Sequence, residues 1–507
     1  MATQARRQGA PAREPAGRPG GERASASPWP WLVATVSLVA AVAARSSLVL
    51  TVDTYYDLYA GRYIVGHGLP RANTITVAAH GAPWIDQQWL AHVLFYASWA
   101  AGGYPAVAAL AVTTTAVGFG VLAVAMRRDG AAPSRAFAWT AAAFMVAAGS
   151  YQIQAQDFGY LLFAVTLLLV RADSKQPRLA GRTWLAVGVL AAWANLHGSV
   201  LLGAALAACY AGYRAVRAAA ARDRHGSAAY LGFGAAAIAA AACTPYGTGV
   251  IGYYRRFAGN PELSAYIARW APPDPHDPAT WIFAAVVLAV AVAVALAWKR
   301  GARPDPFLTM ITAAVLALAL RAAGDECWFA MAGCLLAADA QARVRGPAPA
   351  AISRAFSGAV AGLLAALAAV SLVALTLTPA SAFESLAPRR AIGQAAAIAR
   401  RNPALHLLGD AYTSTAMLWL RPVTIGRDGF DARLELYPAA PLGAWFDFVL
   451  ARGPRWRRVT RGYDVIVVSR QSVPLARELA RLPGWRIADE DGDGLVLVRL
   501  SRPRAQR

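Results

Sequence analysis

Blocks of apolar residues alternate with short polar segments along the first three quarters of the chain. A helix that crosses the hydrocarbon core squarely needs about 20 residues, and several blocks are shorter. Short blocks are typical of helices buried in a bundle, with polar ends that reach a cavity or the membrane interface. The pattern predicts a polytopic α-helical membrane protein of about 11 transmembrane helices. The blocks are 29–52, 104–126, 136–150, 158–171, 183–194, 199–218, 228–244, 279–298, 306–321, 326–340 and 356–379.

The connection that follows the first block is much longer than the others. It runs from Asp53 to Trp89 and is rich in aromatic and turn-forming residues. Long connections are usually functional or disordered, and the aromatic content argues against disorder. The apolar stretch 89–101 is too short to span a membrane, so we interpret it as a helix lying in the interface. The first outer loop is thus predicted to cover 53–103.

Basic residues fall on alternate connections and so predict an orientation. Lysine and arginine are enriched in short cytoplasmic loops, and here they gather in 127–135, 171–182, 214–224, 299–303 and 343–354. This partition places the N-terminus in the cytoplasm. The long first loop and the C-terminal region then lie on the outer side. Residues 1–28, rich in Ala, Pro, Gly and Arg, are predicted to be a disordered basic cytoplasmic tail.

The composition changes after the last apolar block. Residues 29–380 form the predicted transmembrane domain, and 381–507 are predicted to be a small extracytoplasmic α/β domain. Its strand-like runs are 405–408, 421–425, 463–468 and 495–500, and 485–499 is typical of a β-hairpin. Its helix-like runs are 385–400, 441–452 and 474–482. No GxGxxG or Walker sequence opens any of these helices, so nucleotide binding is not indicated.

Composition and charge support a membrane protein and exclude other classes. The chain is 57% hydrophobic and 15% charged, with a formal net charge of +21. The arginines stand between apolar blocks instead of forming one basic face, so nucleic acid is not an expected partner. The first block is too long for a signal-peptide core. Cys209, Cys243, Cys327 and Cys334 lack CxxC spacing and are interpreted as small core residues.

The best candidate for chemistry is an aspartate at the start of the long loop. Asp53 stands just beyond a Leu-Val-Leu run, where a carboxylate can accept a proton from an incoming hydroxyl. Asp57 lies on the same face if the helix continues, and it is an alternative base. Either group could instead be a solvated acid at a helix end.

Other polar groups are predicted on the same side of the membrane. Asp86 is a candidate cap of the interfacial helix, and Asp157 closes a glutamine-rich turn. His197 follows Asn195 at a tight turn and is either a packed, hydrogen-bonded group or a ligand. Arg321 is placed to bind a lipid phosphate or to pair with Asp325.

These features resemble the GT-C class of glycosyltransferases, and more closely a set of largely uncharacterised bacterial membrane proteins with such a core. The resemblance spans about 50 to 500. It rests on Asp53, Tyr59-Ala-Gly-Arg62, Gly66-His-Gly-Leu-Pro70, Gly81-Ala-Pro-Trp84, Gln88-Trp-Leu-Ala91, Gly102-Gly103, Trp193-Ala-Asn-Leu-His-Gly198, Pro245-Tyr-Gly247, Asp428-Gly-Phe-Asp-Ala-Arg433 and Leu436-Tyr437.

The resemblance implies a polyprenyl-phosphate sugar donor, Asp53 as catalytic base and Asp157 as an assisting acid for acceptor or metal. An Arg-Pro lead-in expected before Asp157 is replaced by Gln154-Ala-Gln156, which shifts the donor phosphate towards Arg321. A divalent metal is an open possibility without a dedicated ligand set. We expect Asp53 and Asp57 to be catalytic. Substrate is expected to be bound by Asp86, Gln88, Asp157, Asn195, His197, Tyr246 and Arg321.

The implied function is transfer of a hexose, with mannose as one candidate, to an extracytoplasmic hydroxyl by an inverting displacement. The acceptor is a glycan, lipid, peptide or secondary metabolite. The expected location is the inner or plasma membrane of a bacterium. Two alternatives remain: a transporter or flippase, disfavoured by the absence of inverted repeats, and a membrane-anchored ligand-binding or scaffold protein.

Overall fold

The computed structural model describes residues 27–149, 151–344, 352–453, 455–470 and 472–500. The predicted disordered tail lies outside these ranges except for its last two residues. Arg345, which belongs to the last basic connection, also lies outside them.

The first part of the chain is helical, and each of the eleven apolar blocks coincides with a helix. By length and composition, α1, α3, α11 and α14 are able to cross a membrane. The helices are α1 (Trp29–Ser46), α2 (Val52–His67), α3 (Trp89–Arg128), α4 (Pro133–Ala148), α5 (Gln156–Lys175), α6 (Gly181–Trp193), α7 (Val200–Ala220), α8 (Arg224–Ala240), α9 (Gly249–Ala258), α10 (Pro261–Tyr266), α11 (Pro278–Lys299), α12 (Pro306–Arg321), α13 (Glu326–Ala342) and α14 (Arg354–Leu377).

A kink divides α3 into two parts. The backbone leaves the helical region at Gly102 and Gly103, and the φ of Gly103 is 65°. Glycine adopts this left-handed conformation at little steric cost. The kink falls where the sequence predicts the end of a short helix and the start of the apolar block at 104.

Helix α13 lies at the centre of the bundle and packs against α4, α11 and α12. Its residues from Glu326 to Ala340 are buried, including Cys327 and Cys334. The interpretation of all four cysteines as core residues is wrong for Cys209 and Cys243. Both are exposed on the protein surface: Cys209 lies on an outward face of α7, and Cys243 lies in the turn after α8.

A buried ionic cluster closes the bundle at the end opposite Asp53. The Arg171 guanidinium lies 2.8 Å from Asp129, 2.8 Å from Asp305 and 3.0 Å from Asp339. Lys175 pairs with Asp129 at 2.7 Å. Each aspartate is on a different segment. Arg171 therefore joins the end of α3, the start of α12 and the last turn of α13.

Replacing Arg171 with methionine is expected to cost about 3–5 kcal/mol of unfolding free energy, because three carboxylates lose their buried partner. The Lys175→Met variant is the matched control, since Lys175 is 38% exposed, and should cost about 1 kcal/mol or less. Thermal unfolding in detergent measures both. An equal loss in the two variants would contradict a buried role for Arg171.

The C-terminal region forms a layer of helices against one four-stranded sheet, in the order β1-β2-β4-β3. Strand β1 pairs with β2 in parallel, and the other pairs are antiparallel. The elements are α15 (Ala380–Phe383), α16 (Arg389–Arg401), β1 (Leu407–Gly409), α17 (Ala411–Leu420), α18 (Ala439–Val449), α19 (Trp456–Val459), β2 (Val465–Ser469), α20 (Val473–Ala480), β3 (Trp485–Glu490) and β4 (Gly494–Arg499).

The predicted hairpin is present as β3 and β4, and the three predicted helices are present as α16, α18 and α20. The predicted strand at 421–425 is wrong. Pro422–Thr424 form a 3-10 turn instead, because a proline without an N–H follows directly on the end of α17.

A buried hydrogen-bond network joins the C-terminal layer to the long first loop. Asp431 accepts a hydrogen bond of 2.7 Å from the Tyr59 hydroxyl and forms an ion pair of 2.6 Å with Arg433. Arg433 also donates to the side chain of Asn73 and lies over the Trp84 ring, 4.2 Å from its centroid. The first loop is therefore held between the helical bundle and the C-terminal layer.

Candidate functional site

Asp53 lies in the first turn of α2, and the local sequence fixes its position. Thr51 and Thr54 form a capping box at the start of this helix. The Thr54 hydroxyl also donates a 2.9 Å hydrogen bond to the carbonyl of Ile153. This bond ties the start of α2 to the segment before α5, so Asp53 faces the glutamine-rich turn.

Three alternating glutamines line this turn and connect Asp53 to an arginine. Gln152 donates a hydrogen bond of 2.5 Å to Asp53 Oδ2 and another of 3.1 Å to Gln154 Oε1. Arg269 donates from Nη1 to Gln154 Oε1 at 2.8 Å and from Nη2 to the Gln156 side chain. These five side chains form one hydrogen-bonded row. The Asp53 carboxylate stands at one end, and towards the other end the Arg269 guanidinium is held between Gln154 and Gln156.

Arg269 is a cation with amide partners only. In the described part of the chain no carboxylate lies within ion-pair distance of its guanidinium, which is partly buried. Its charge lowers the pKa of Asp53 and Asp325, where burial has the larger and opposite effect. It also lowers the pKa of His197, where burial has the larger effect in the same direction. Arg269 is thus the positive charge around which these groups are arranged.

The Asp53 carboxyl keeps part of its surface open, yet burial of the group raises its pKa above the usual 3.8. The Arg269 charge and the hydrogen bond from Gln152 act in the opposite direction. A raised pKa makes a carboxylate a stronger proton acceptor, which suits a general base.

His197 lies in the turn between α6 and α7, beside this row. Its Nδ1 accepts from the backbone N–H of Ser199 at 3.2 Å and from the Ser199 hydroxyl at 2.7 Å, which leaves the proton on Nε2. Burial and the Arg269 charge lower its pKa to about 3, so the ring is neutral. Gly159 permits the close packing, because a Cβ there would lie 2.9 Å from the Ser199 hydroxyl.

Asp157 is fully buried at the start of α5. Its Oδ2 accepts from the backbone N–H of Gln154 at 3.2 Å. Its Oδ1 has no hydrogen-bond partner among the described residues. The carboxyl therefore shapes the glutamine turn from behind and does not reach the open side where Asp53 lies.

Asp57 and Asp86 enclose a buried histidine. His92 Nε2 lies 3.2 Å from Asp57 Oδ1, and Nδ1 lies 2.8 Å from Asp86 Oδ2. Gln88 contacts the same imidazole at 2.9 Å. Burial raises the pKa of Asp57 to about 6, with His92 opposing the rise. The continued helix does place Asp53 and Asp57 on one face, but Asp57 is only 1% exposed.

The prediction that Asp86 caps the interfacial helix is wrong. The residue at the N-cap of α3 is Gln88. Asp86 accepts from the Gln88 backbone N–H, but its other oxygen is held by His92. Asp86 and Gln88 are thus parts of the histidine cluster, and substrate binding by them stays a prediction.

Asn195 is used entirely in packing. Its Oδ1 accepts from the Trp89 indole at 2.7 Å, and its Nδ2 donates to the carbonyls of Ala191 and Cys243. Both donor hydrogens are committed to these contacts, and substrate binding by Asn195 stays a prediction. Its role is to join α3, α6 and the end of α8.

Tyr246 and Arg321 have no contact with the row that ends at Asp53 among the described hydrogen bonds and ion pairs, and substrate binding by them stays a prediction. Tyr246 packs under the Arg71 guanidinium, whose carbon is 5.2 Å from the ring centroid. Arg321 is exposed at the end of α12, and in the described ranges it forms no ion pair with Asp325 or any other carboxylate. The expected pairing with Asp325 is wrong. The guanidinium that acts on Asp325 is that of Arg269.

A cavity of 300 Å³ lies between the α9–α10 junction and the C-terminal layer, lined by Arg256, Asn260 and Glu435 among others. Burial raises the pKa of Glu435 to about 7, and the Asp431 and Asp86 charges add to the rise. Its charge also raises the pKa of the Tyr56 hydroxyl. Tyr56 is one turn beyond Asp53 in α2, so Glu435 borders the same polar interior from the opposite side.

Stability is expected to depend on Glu435 as the pH rises. The unfolded side chain loses its proton near 4.5 and the folded one near 7, so the folded state binds more protons in this window and loses stability across it. The Glu435→Gln variant removes this loss. Its melting temperature relative to wild type should rise between about pH 5 and about pH 8. The exposed Glu478→Gln variant is the control, and a pH-independent difference for Glu435→Gln would contradict the assignment.

A metal ion finds no ready ligand set here. Across the described ranges there is no group of three or more His, Cys, Asp or Glu that could hold one. The two carboxylates nearest the glutamine row, Asp53 and Asp157, each have one oxygen in a hydrogen bond to that row.

Sequence reasoning missed Arg269, His92 and Glu435. One signal for Arg269 was present: it is an arginine between aromatic residues on the side where short basic loops are not expected. The sequence gives no comparable sign for His92 or Glu435, because their partners come from other segments.

Comparison with solved structures identifies the fold. ArnT from Cupriavidus metallidurans in the apo state is similar with a TM-score of 0.50 and 15% identity, covering 92% of this chain and 97% of that chain. Arabinofuranosyltransferase AftD from Mycobacteria has a TM-score of 0.51 and 16% identity, covering 94% of this chain and 40% of that chain. No protein-family model and no curated sequence match the chain.

Both neighbours are glycosyltransferases of the GT-C class. The chain therefore has a GT-C-like fold, as the sequence motifs predicted. At this level of identity the likeness concerns the fold.

Proposed function

We propose that this protein is an integral membrane glycosyltransferase that moves a glycosyl group from a polyprenyl-phosphate donor to a hydroxyl of an extracytoplasmic acceptor. One observation carries the proposal: the row from Asp53 through Gln152 and Gln154 to Arg269, which also binds Gln156. It combines a proton acceptor and an unpaired guanidinium in a GT-C-like fold.

The two ends of the row suit the two charges that change during transfer. A carboxylate with a raised pKa takes the proton of the attacking hydroxyl. A guanidinium held by neutral amides keeps its charge free for a phosphate, to which it binds bidentately. Because the glutamines position both groups without neutralising either, the site is organised before substrate binds.

The proposed reaction is a single displacement. Asp53 accepts the proton from the acceptor hydroxyl, whose oxygen forms a bond to the anomeric carbon. The bond from that carbon to the phosphate oxygen breaks, and its electron pair leaves with the polyprenyl phosphate. Arg269 stabilises the charge on this leaving group, and the anomeric configuration is inverted.

The donor and acceptor follow from the resemblance and from the cavity at Glu435. A hexose is the first donor to test, with mannose as the leading candidate. An arabinofuranosyl donor is the second, because the neighbour AftD is an arabinofuranosyltransferase. The acceptor, a glycan, lipid, peptide or secondary metabolite, would approach through the cavity of 300 Å³, where Glu435 can accept hydrogen bonds from its hydroxyl groups.

We place the protein in the inner or plasma membrane of a bacterium, with its N-terminus cytoplasmic and its C-terminal domain outside. The shorter helices would then lie in the bundle between the four long ones. A lipid donor accounts for a membrane location, because its tail can enter the bundle from the bilayer.

The test uses the full chain reconstituted in liposomes that contain polyprenyl-phosphate mannose, glucose or arabinofuranose with a labelled sugar. An envelope extract of a high-GC bacterium supplies acceptors. Protein-dependent release of polyprenyl phosphate with transfer of label supports the proposal. Parallel reactions with Mg²⁺, Mn²⁺ or EDTA reveal a metal requirement. Equal release of polyprenyl phosphate with and without protein, for every donor, would refute the proposed function.

A further inference from the structure

A second cavity lies at the opposite end of the bundle from Asp53. It measures 290 Å³ and is formed by the start of α1, the end of α3 and the start of α4. Helix α1 has 18 residues and so spans about 27 Å at 1.5 Å per residue. Asp53 follows the far end of this helix, so the cavity is separate from the proposed catalytic site.

The walls of this cavity are apolar, with two arginines at its edge. Trp31, Leu32 and Phe137 are among its apolar lining residues, and Arg127 and Arg128 also line it. The ring centroids of Trp31 and Phe137 are 5.3 Å apart. A ligand that fits must have an apolar portion and a negative charge.

Among the described residues, neither arginine forms an ion pair. Arg127 donates from Nη1 to the carbonyl of Ala131, but its buried Nε has no hydrogen-bond partner in the described part of the chain. The nearby carboxylate of Asp129 is already held by Arg171 and Lys175. A buried donor left unpaired costs free energy, which an anionic oxygen would recover.

We propose that this cavity binds an anionic diacyl phospholipid, with its phosphate on Arg127 and Arg128 and part of one acyl chain against Trp31 and Phe137. Trp29 is 68% exposed at the rim, and tryptophan is enriched at membrane–water interfaces. The predicted orientation assigns the lipid to the cytoplasmic leaflet. The proposal requires a membrane location but no catalytic activity.

The apolar walls favour a phospholipid over a small anion. Free phosphate satisfies the guanidinium groups but leaves the apolar walls in contact with water, which is unfavourable. A zwitterionic phospholipid fills the walls but brings a cation close to two arginines. The preference for a lipid over a free anion and the preference for an anionic over a zwitterionic lipid can therefore be measured separately.

The experiment is native mass spectrometry of the delipidated full-length protein in detergent, with three probes. Dioleoyl phosphatidylglycerol should bind at least about tenfold more tightly than dioleoyl phosphatidylcholine, a difference of about 1.4 kcal/mol. Glycerol 3-phosphate, which carries the headgroup charge without a tail, should not compete. Equal binding of the two lipids, or competition by glycerol 3-phosphate, would overturn the proposal.

Variants locate the site. The Arg127→Gln/Arg128→Gln double variant should lose the preference for phosphatidylglycerol, whereas Lys299→Gln/Arg300→Gln, with the same charge change on another basic connection, should keep it. Val124→Phe enlarges a partly exposed side chain that lines the cavity, without changing charge, and should weaken both lipids in a protein with a normal melting temperature. Unchanged lipid binding in both the arginine and the cavity variants would overturn the assignment.

Discussion

Replacing Asp53 with asparagine is expected to reduce glycosyl transfer by about 10²–10⁴-fold, the usual contribution of a positioned general base. The amide has the shape of the carboxyl and keeps a hydrogen-bonding group for Gln152, so the melting temperature should change little. The loss should appear in kcat, because the substrates still bind while the proton acceptor is missing.

The matched variant Asp57→Asn separates the two candidate bases. Asp57 is buried against His92, so its replacement should lower the melting temperature and reduce transfer only as far as the helix start is disturbed. A stable Asp57→Asn protein without activity, together with an active Asp53→Asn protein, would transfer the role of base to Asp57.

The pH profile provides an independent check on Asp53. A base must be ionised, so activity falls as the pH drops through its pKa, which burial raises above 3.8. The hydrogen bond from Gln152 lowers that pKa. Gln152→Ala should therefore move the acidic limb to higher pH, whereas a purely structural role for Gln152 would lower activity at every pH alike.

Local patterns were sufficient to predict most helices and the hairpin. Apolar blocks such as 326–340 became helices because continuous apolar sequence of this length is buried only in that form within a bundle. The hairpin at 485–499 followed from its glycine-containing turn. The strand predicted at 421–425 failed because Pro422 lacks an N–H and its segment forms a 3-10 turn.

The sequence predicted only part of the site, because the groups of the site come from distant segments. Asp53 was found from its position after an apolar run. Arg269 meets Gln154 across 115 residues, and no local pattern reports such a pairing. The sequence showed the glutamine-rich turn, and we interpreted it as a turn that no longer binds the donor phosphate. In the structure its glutamines hold Arg269, an arginine from another segment.

The second large effect is expected at Arg269. Replacing it with glutamine should reduce kcat by about 10²–10³-fold, the range seen when one group that stabilises a developing negative charge is removed. Arg269→Lys should recover part of this loss, because an ammonium keeps the charge but cannot donate to Gln154 and Gln156 as a planar fork does.

Arg321→Gln is the matched control. Arg321 is an exposed arginine at the same end of the bundle, and the turn after it packs on the Arg269 segment through a 2.9 Å hydrogen bond from Ala323 to Ala271. Its removal should leave transfer close to wild type. If Arg321→Gln lost as much activity as Arg269→Gln, the donor phosphate would belong on Arg321, as the sequence first suggested.

Inhibition by added polyprenyl phosphate distinguishes phosphate binding from a structural role of Arg269. If the guanidinium binds the leaving phosphate, Arg269→Gln should weaken this inhibition at least about tenfold, the loss of one charge-assisted contact. If it only holds the glutamine turn, the melting temperature should fall while inhibition is unchanged. Because Arg269 is partly open and has amide partners only, we expect weaker inhibition in a protein of nearly normal stability.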